Sequence, residues 1–174
     1  NCKIQNIIVS DNKVTSVNLE LPEKRNIKCD YLVSTIPIED LVSYTEKKIT
    51  DYNFEKKKFT YKHVVVVNVI LNKSKFSESH WIYLVNDQFY FNRLSEQKNF
   101  SKFCAPENKT LIMLEVILDS EDEEWKWEGE QWRTKVENEL SFFGVNTKEI
   151  EDIWVTRMEK AYPLFLVGYE KFKK

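Results

Sequence analysis

The sequence lacks an excess of charge of either sign and lacks any long hydrophobic run. Its 174 residues carry 26 Lys and Arg against 28 Asp and Glu, and this near balance gives no support for binding to nucleic acid. The longest apolar stretch, Val64 to Leu71, contains Asn68 and is far too short to span a bilayer. No charged-then-apolar signal segment opens the chain. We therefore expect no nucleic-acid partner and no membrane segment within these residues.

Cysteine and histidine are also scarce. The three cysteines, Cys2, Cys29 and Cys104, are odd in number and contain no CxxC spacing, which argues against a disulfide framework and favours a reducing compartment. We accordingly predict a cytoplasmic location. With only His63 and His80 to join the cysteines, no metal-ligand cluster can be recognised, and no metal is expected.

The first 37 residues have the pattern of a hairpin followed by a strand. Two apolar segments, Ile4 to Val9 and Val14 to Leu21, are joined by the turn-forming pair Asp11-Asn12. After a charged stretch the chain enters a second apolar run, Asp30 to Pro37, which ends at a proline. We predict a β-hairpin and then a strand over that run.

The rest of the chain mixes strands with amphipathic helices. Helices are predicted at Ile38–Tyr44 and Lys47–Phe59. Strands are predicted at Tyr61–Leu71, His80–Leu84, Gln88–Leu94, Thr110–Leu118 and Ile153–Arg157. The turn Val85 to Asp87 would join the second and third of these strands into a hairpin, and 95–109 would be an irregular loop. There is no regular βαβ alternation, so the predicted class is α+β, with helices covering a mostly antiparallel sheet.

One further helix is predicted from about Glu128. Trp132, Val136 and Leu140 recur at helical spacing and form an apolar stripe with Phe143. Gly144 stands where a glycine commonly ends a helix. The stripe is expected to face the core.

The order hairpin, polar loop, strand and proline resembles the second half of the FAD-binding domain in the amine oxidase and protoporphyrinogen oxidase-like flavoprotein superfamily. The run Cys29-Asp30-Tyr31-Leu32-Val33-Ser34-Thr35-Ile36-Pro37 resembles the family's strand, which reads roughly alanine, aspartate, hydrophobic, valine, hydrophobic, threonine, hydrophobic and proline. Later segments resemble a bacterial branch of these proteins, near the UDP-galactopyranose mutases: His80-Trp81-Ile82-Tyr83, Phe91-Asn92-Arg93-Leu94-Ser95-Glu96, Asn99-Phe100-Ser101, Ala105-Pro106 and Ala161-Tyr162-Pro163.

The resemblance implies that the chain is a piece of a larger flavoenzyme. Residues 1–37 would belong to its FAD-binding domain, 38–165 to its substrate-binding domain, and 166–174 to a segment that returns toward the FAD-binding domain. The sequence contains only Gly129, Gly144 and Gly168, so the GxGxxG loop that holds the pyrophosphate is absent. FAD is therefore expected in the larger enzyme, and these residues alone should not hold it tightly.

The resemblance also assigns candidate cofactor residues. Ile4 matches the hydrophobic residue whose backbone meets the adenine end of FAD, and Thr35 to Pro37 match the strand end that approaches the cofactor. Plain strand packing is an equally good explanation for each, since β-branched residues are common in strands. Because the flavin carries the redox step in such oxidases, no acid–base triad is required, and the sequence shows none.

Arg93 is the main candidate for contact with a small-molecule substrate. A guanidinium suits an anionic group and is rarely placed among aromatic residues without a partner, so we predict that Arg93, with Tyr90 or Tyr162 nearby, faces the substrate cavity. The alternative is a structural ion pair between Arg93 and either Glu115 or Glu96.

Three functions remain open at this stage. The first is the substrate-binding domain of an FAD-dependent oxidoreductase acting on an amine or a porphyrinogen-like ring. The second is part of a UDP-galactopyranose mutase-like flavoenzyme, which should show at least two convergent arginines. The third is a non-enzymatic interaction domain. If half of the FAD-binding domain lies elsewhere, its first strands should present exposed edges through which copies of the chain could associate.

Overall fold

The computed structural model describes residues 2–45 and 59–168, and the chain divides into two compact units, residues 1–58 and 59–174. We call them the N-terminal unit and the C-terminal unit. The domain limits inferred from the sequence, at residues 37 and 165, refer to the domains of a larger flavoprotein and stay predictions.

The N-terminal unit is built on a three-stranded antiparallel sheet in the order β1-β2-β3. Its strands are β1 (Lys3–Ser10), β2 (Lys13–Leu21) and β3 (Arg25–Lys28). Asp11 and Asn12 have φ values of 50° and 60°, the left-handed conformation that a two-residue hairpin turn requires and that Asp and Asn tolerate. The predicted hairpin is confirmed.

A short helix, α1 (Ile38–Ser43), follows Pro37 and carries Glu39 and Asp40 in its first turn. Both acidic residues suit the positive end of the helix dipole, and this predicted helix is confirmed. The chain then returns beside β1, where the Ile7 amide donates a 2.7 Å hydrogen bond to the Tyr44 carbonyl. The predicted helix Lys47–Phe59 lies outside the described residues except for Phe59, which has no regular structure.

The predicted strand at Asp30–Pro37 is wrong, because this run has no regular secondary structure. An apolar run forms a strand only where a neighbouring strand supplies hydrogen-bond partners. Here the pairing of β3 with β2 ends at Lys28, and the Cys29 amide makes a last bond to the Thr15 carbonyl at 3.1 Å. Beyond it, Tyr31 and Val33 are 91% and 90% exposed.

The C-terminal unit contains a five-stranded antiparallel sheet in the order β5-β6-β7-β4-β8. Its strands are β4 (Tyr61–Leu71), β5 (Trp81–Tyr83), β6 (Arg93–Glu96), β7 (Thr110–Leu118) and β8 (Ile150–Pro163). The predicted strands at Tyr61–Leu71 and Thr110–Leu118 are confirmed, and β4 is an interior strand that pairs with β7 on one side and with the edge strand β8 on the other. The predicted α+β class with a mostly antiparallel sheet is also confirmed.

Helix α3 (Gly129–Ser141) supplies the core of this unit. Its residues Trp132, Val136 and Leu140 are fully buried, as predicted, in one cluster with one face of the sheet. Gly144 follows the helix with a φ of 75°, the conformation that favours glycine at a helix end. The unit also contains the short helix α2 (Gln97–Phe100) and 3-10 turns at Lys102–Cys104, Glu123–Lys126 and Thr147–Glu149.

The predicted hairpin around Val85 to Asp87 has different limits. Its strands are Trp81–Tyr83 and Arg93–Glu96, so the connection runs from 84 to 92. Phe91 is fully buried, and its amide donates to the Glu139 carboxylate at 3.2 Å. The aromatic run therefore fills the core from a loop and does not extend a strand. The region expected as a loop, 95–109, includes the end of β6 and all of α2, and the last strand is longer than Ile153–Arg157.

Candidate functional site

The sheet of the C-terminal unit has a second face, opposite the one in the core cluster with α3. Side chains directly opposite each other in antiparallel strands share a face. Tyr83 lies opposite Arg93, and Arg93 lies opposite Glu115. These three side chains therefore form a row across β5, β6 and β7. The next residue along, Leu94, belongs to the core face.

This row forms part of the wall of an open cleft of about 410 Å³. That volume falls in the range of small-molecule pockets, about 300–1,000 Å³. The lining combines aromatic, polar and charged side chains: Trp81, Tyr83, Arg93, Ser95, Gln97, Phe100, Met113 and Glu115. We call it the Arg93 cleft.

Arg93 is tied to Glu115 by a bidentate ion pair. Its Nε donates to Glu115 Oε1 at 3.0 Å, and its Nη2 donates to Oε1 at 2.8 Å and to Oε2 at 2.6 Å. The hydrogen bond to Glu115 is the main cause that raises the pKa of Arg93, so the guanidinium keeps its charge. The other side chains of the cleft are uncharged, and its lining therefore carries no net charge.

Both predictions for Arg93 describe the same side chain. The ion pair with Glu115 is confirmed, and Arg93 also lines a concave surface, as a substrate-binding residue would. The predicted binding of an anionic group stays a prediction. Glu96, the other partner considered for Arg93, is fully buried and is bound by other groups.

Two exposed aromatic side chains form the other part of the cleft. Trp81 and Phe100 are 51% and 54% exposed, and their rings are nearly parallel, at 12°, with centroids 6.2 Å apart. His80 packs on the edge of Phe100 with centroids 5.0 Å apart. The cleft therefore presents flat aromatic surface to solvent.

Glu96 fixes the chain segment from which α2 begins. Its carboxylate accepts hydrogen bonds from the amides of Phe76 and Ser77 at 2.8 and 2.7 Å and from the Thr110 hydroxyl at 2.7 Å. Asn99 Nδ2 adds a longer bond of 3.3 Å. A buried carboxylate with this many donors holds its neighbours in one geometry.

Lys98 completes this anchor from the other side of α2. Its Nζ lies 2.7 to 3.1 Å from four backbone carbonyl oxygens, those of Ser74, Pro106, Glu107 and Lys109. An ammonium has three protons, so these contacts share them. Together Glu96 and Lys98 hold two loops against α2, whose Gln97 and Phe100 line the cleft.

The structure does not bring the two candidate tyrosines together. Tyr90 lies on the core side, where its ring stacks on Trp127 and Lys135 Nζ lies 4.4 Å from its centroid. Burial raises the pKa of Tyr90, with a further contribution from the Glu124 carboxylate. Tyr162, on β8, is 48% exposed and makes the smallest contribution to the raised pKa of Arg93. Of these two candidates only Tyr162 interacts with Arg93, and Tyr83, directly opposite Arg93 with its ring centroid 6.0 Å from the guanidinium, is a third tyrosine beside it.

The sequence contains four arginines, and only Arg93 lines the cleft. Arg157 Nε donates to the Trp125 carbonyl at 2.9 Å, and Arg133 lies 3.7 Å from Glu137 on α3. Arg25 pairs with Glu23 in the N-terminal unit. The convergent arginines expected of a mutase are therefore not present around this cleft.

The N-terminal unit has a cleft of its own, of about 480 Å³, lined by Cys2, Lys3, Ile4, Ile36, Pro37, Asp40 and Tyr44. It brings together two of the three candidate cofactor residues, Ile4 and Pro37. The third, Thr35, is exposed and does not line it. At its edge Lys3 Nζ lies 2.9 Å from Glu20 Oε2, and this hydrogen bond raises the pKa of Lys3.

Metal sites and membrane-spanning helices are absent from the described part of the chain. Among residues 2–45 and 59–168, His, Cys, Asp and Glu side chains form no group that could hold a metal ion. No helix in these ranges has both the length and the apolar character needed to cross a membrane. Cys2, Cys29 and Cys104 are free thiols.

Solved structures with a similar fold identify this architecture. A reduced UDP-galactopyranose mutase matches 98% of the chain with a TM-score of 0.68 and 20% identity. The chain has the fold of amine oxidase-like flavoproteins. A putative protoporphyrinogen oxidase from Exiguobacterium sp. 255-15 matches 98% of it with a TM-score of 0.60 and 15% identity, and a putrescine oxidase matches 88% with a TM-score of 0.54 and 9% identity.

The chain spans only part of these flavoproteins, 37% of the length of the first two and 33% of the third. No protein-family model matches it, and neither does any curated protein. At these identities the likeness concerns the fold, and the resemblance inferred from sequence motifs is confirmed at that level.

Sequence reasoning missed the aromatic part of the Arg93 cleft. Trp81, Tyr83 and Phe100 were not among the candidate residues, because core packing is the default for aromatic side chains. The alternation Trp81-Ile82-Tyr83 was a usable signal: it puts the two outer rings on one face. Their opposition to Ser95 and Arg93 depends on strand register, which the sequence did not reveal.

Proposed function

We propose that this chain is part of an FAD-dependent oxidoreductase resembling amine oxidases and protoporphyrinogen oxidases, and that its C-terminal unit positions a small-molecule substrate. The observation that carries the proposal is the Arg93 cleft, a ligand-sized concavity on a sheet that has the flavoprotein fold. The share of the matched structures that the chain spans supports a larger whole enzyme.

The N-terminal unit fits one part of the cofactor. Ile4, Ile36 and Pro37 give its cleft an apolar wall suited to a flat adenine ring. The three glycines of the chain, all beyond residue 128, cannot form a phosphate-binding loop there, so the remainder of the FAD site would come from other residues of the enzyme. When bound, FAD would supply the hydride acceptor.

Arg93, Tyr83 and Tyr162 are the residues that we propose contact the substrate. Glu115 holds the guanidinium in place, which lets Arg93 act as a positioned hydrogen-bond donor with little loss of side-chain entropy. Tyr90 would act only indirectly, by packing against Trp127 on the core side of the sheet.

A UDP-galactopyranose mutase-like enzyme is the second candidate, and the TM-score of 0.68 with such a mutase favours it. The diphosphate of a sugar nucleotide calls for several cationic groups. The cleft offers Arg93 alone, and its charge is matched by Glu115. The oxidoreductase is therefore the better supported of the two, and a non-enzymatic domain is supported by neither the fold nor the cleft.

The test uses the full-length protein that contains these residues. Its flavin content is measured by absorbance, and its flavin reduction is followed with a diamine and a porphyrinogen. Isomerisation of UDP-galactopyranose is assayed separately from its product, because that reaction has no net redox change. Arg93→Met is compared with Arg133→Met, a matched control because both arginine side chains are 33% exposed. We expect Arg93→Met to raise KM for whichever substrate the enzyme oxidises, and Arg133→Met to leave that KM unchanged. Turnover of UDP-galactopyranose alone would favour the mutase, and an equal effect of both variants would remove Arg93 from the site.

A further inference from the structure

We propose that the Arg93 cleft binds an uncharged planar ring, which stacks on the Trp81 and Phe100 surface. This inference deepens the proposed function and rests on it, because it names the part of a substrate, an uncharged ring, that the same cleft would hold. It follows from three features of the lining: exposed rings, matched charges, and a backbone that holds the rings in place.

The exposed rings provide the stacking surface. Trp81 and Phe100 come from different elements, β5 and α2, yet their planes differ by only 12°. About half of each residue is open to solvent. The two rings stack on each other, and a flat ligand can extend this stack on an exposed ring face, which removes apolar surface from water and gains ring stacking.

The charges of the cleft exclude an ionic ligand as the preferred one. The Arg93 guanidinium and the Glu115 carboxylate neutralise each other through three hydrogen bonds. An anion would have to compete with Glu115 for Arg93, and a cation would have to compete with Arg93 for Glu115. The neutral amide and hydroxyl of Gln97 and Ser95, joined at 3.1 Å, can instead exchange hydrogen bonds with polar atoms at a ring edge.

The stacking surface is already formed without ligand. The Glu96 amide donates to the His80 carbonyl at 3.0 Å, directly before Trp81. Asn99, the residue directly before Phe100, donates from its Nδ2 to the Ser79 carbonyl at 2.8 Å. Both rings thus project from backbone that is tied together, so little order has to be gained on binding.

The experiment titrates the 174-residue chain with indole, indole-3-acetate and tryptamine, which share one ring and differ in charge, and with cyclohexanol, which is neutral and not planar. Binding is followed by the indole N–H signals of the five tryptophans in NMR spectra and by the ligand signals. Trp132 is the internal reporter of folding, because it is fully buried and its Nε1 donates to the Trp127 carbonyl.

We expect indole to shift the Trp81 signal saturably and to leave Trp132 in place, with affinity above that of the two charged analogues and cyclohexanol. Trp81→Ala and Phe100→Ala should each weaken indole binding about tenfold. The control Phe103→Ala removes a ring that is 86% exposed and lies outside the cleft, and it should change the affinity less than about twofold.

Three results of the ligand titrations would overturn the inference. They are tighter binding of indole-3-acetate or tryptamine than of indole, equal binding of cyclohexanol, and absence of a saturable Trp81 shift while Trp132 reports a folded chain. Equal loss in Phe103→Ala would likewise count against the cleft. Flavin content of the full-length protein tests the proposed function separately. A colourless full-length protein whose cleft still binds indole would contradict the flavoenzyme proposal and support the ring-binding site.

Discussion

Arg93 and Glu115 lie directly opposite each other on neighbouring strands, and three hydrogen bonds of 2.6 to 3.0 Å join their side chains. The Glu115 side chain is 14% exposed and that of Arg93 is 33% exposed. The pair therefore lies at the boundary between the sheet and the cleft, where removing one partner leaves the other charge poorly solvated.

A double-mutant cycle measures this coupling. Glu115→Leu and Arg93→Met should each lower the free energy of unfolding by about 1–3 kcal/mol, and the double variant should lose less than the sum, because it strands no charge. Urea denaturation of the 174-residue chain gives the values. The control pair is Arg133 and Glu137, whose charged atoms are 3.7 Å apart and whose side chains are 33% and 32% exposed. It should show a coupling below about 0.5 kcal/mol. Strict additivity at Arg93 and Glu115 would show that they do not interact energetically.

Replacing Glu96 by Gln tests the anchor beneath the cleft. One oxygen that accepts from backbone amides becomes an amide donor, so Phe76 and Ser77 cannot both stay bonded. We expect a loss of about 2–4 kcal/mol in unfolding free energy, and faster hydrogen exchange at these two amides. Glu121→Gln, at an exposed position, should change stability by less than about 0.5 kcal/mol. Similar behaviour of the two variants would remove Glu96 from its anchoring role.

Gly144 and Gly129 form a second matched pair. An added Cβ would meet nothing within 4 Å at either position, but only Gly144 has a positive φ, of 75°. Gly144→Ala should therefore destabilise the chain by about 1 kcal/mol through backbone strain alone. Gly129→Ala, at the first position of α3, should be neutral or stabilising. Thermal unfolding followed by circular dichroism compares them, and a Gly144→Ala variant as stable as the parent sequence would contradict the cap.

Tyr90 gives a pH dependence with a defined sign. Its pKa is raised in the folded state, so the folded chain retains the phenolic proton longer than the unfolded chain does. This contribution to stability is complete below pH about 10, the ordinary tyrosine pKa, and is lost as pH rises from there toward the folded pKa. Ultraviolet titration should show one late-ionising tyrosine that disappears in Tyr90→Phe. An unchanged titration curve in that variant would refute the assignment.

The sequence predicted the elements whose signals are local. The valine-rich run Tyr61–Leu71, the stripe through Trp132 and the turn at Asp11-Asn12 each carry their own pattern, and each was found. Tyr31 and Val33 show the opposite case. They belong to an apolar run that favours a strand, but a strand also needs a partner, and none pairs with them among the described residues.

The candidate site was predictable only in part for the same reason. That Arg93 needs a partner follows from its chemistry, and Glu115 was one of two carboxylates proposed for it. Which of the two binds depends on register: Glu115 shares a face with Arg93, whereas Glu96 points to the core side and receives two backbone amides. The stacking of Trp81 on Phe100 joins β5 to α2, a contact that no spacing within the sequence encodes.

The absorbance spectrum of the purified full-length protein decides whether these residues belong to a flavoenzyme. We expect a yellow protein that carries a stoichiometric amount of FAD, whose absorbance is bleached when a substrate is oxidised. A correctly folded full-length protein that is colourless, and that stays so when it is supplied with FAD, would contradict this expectation.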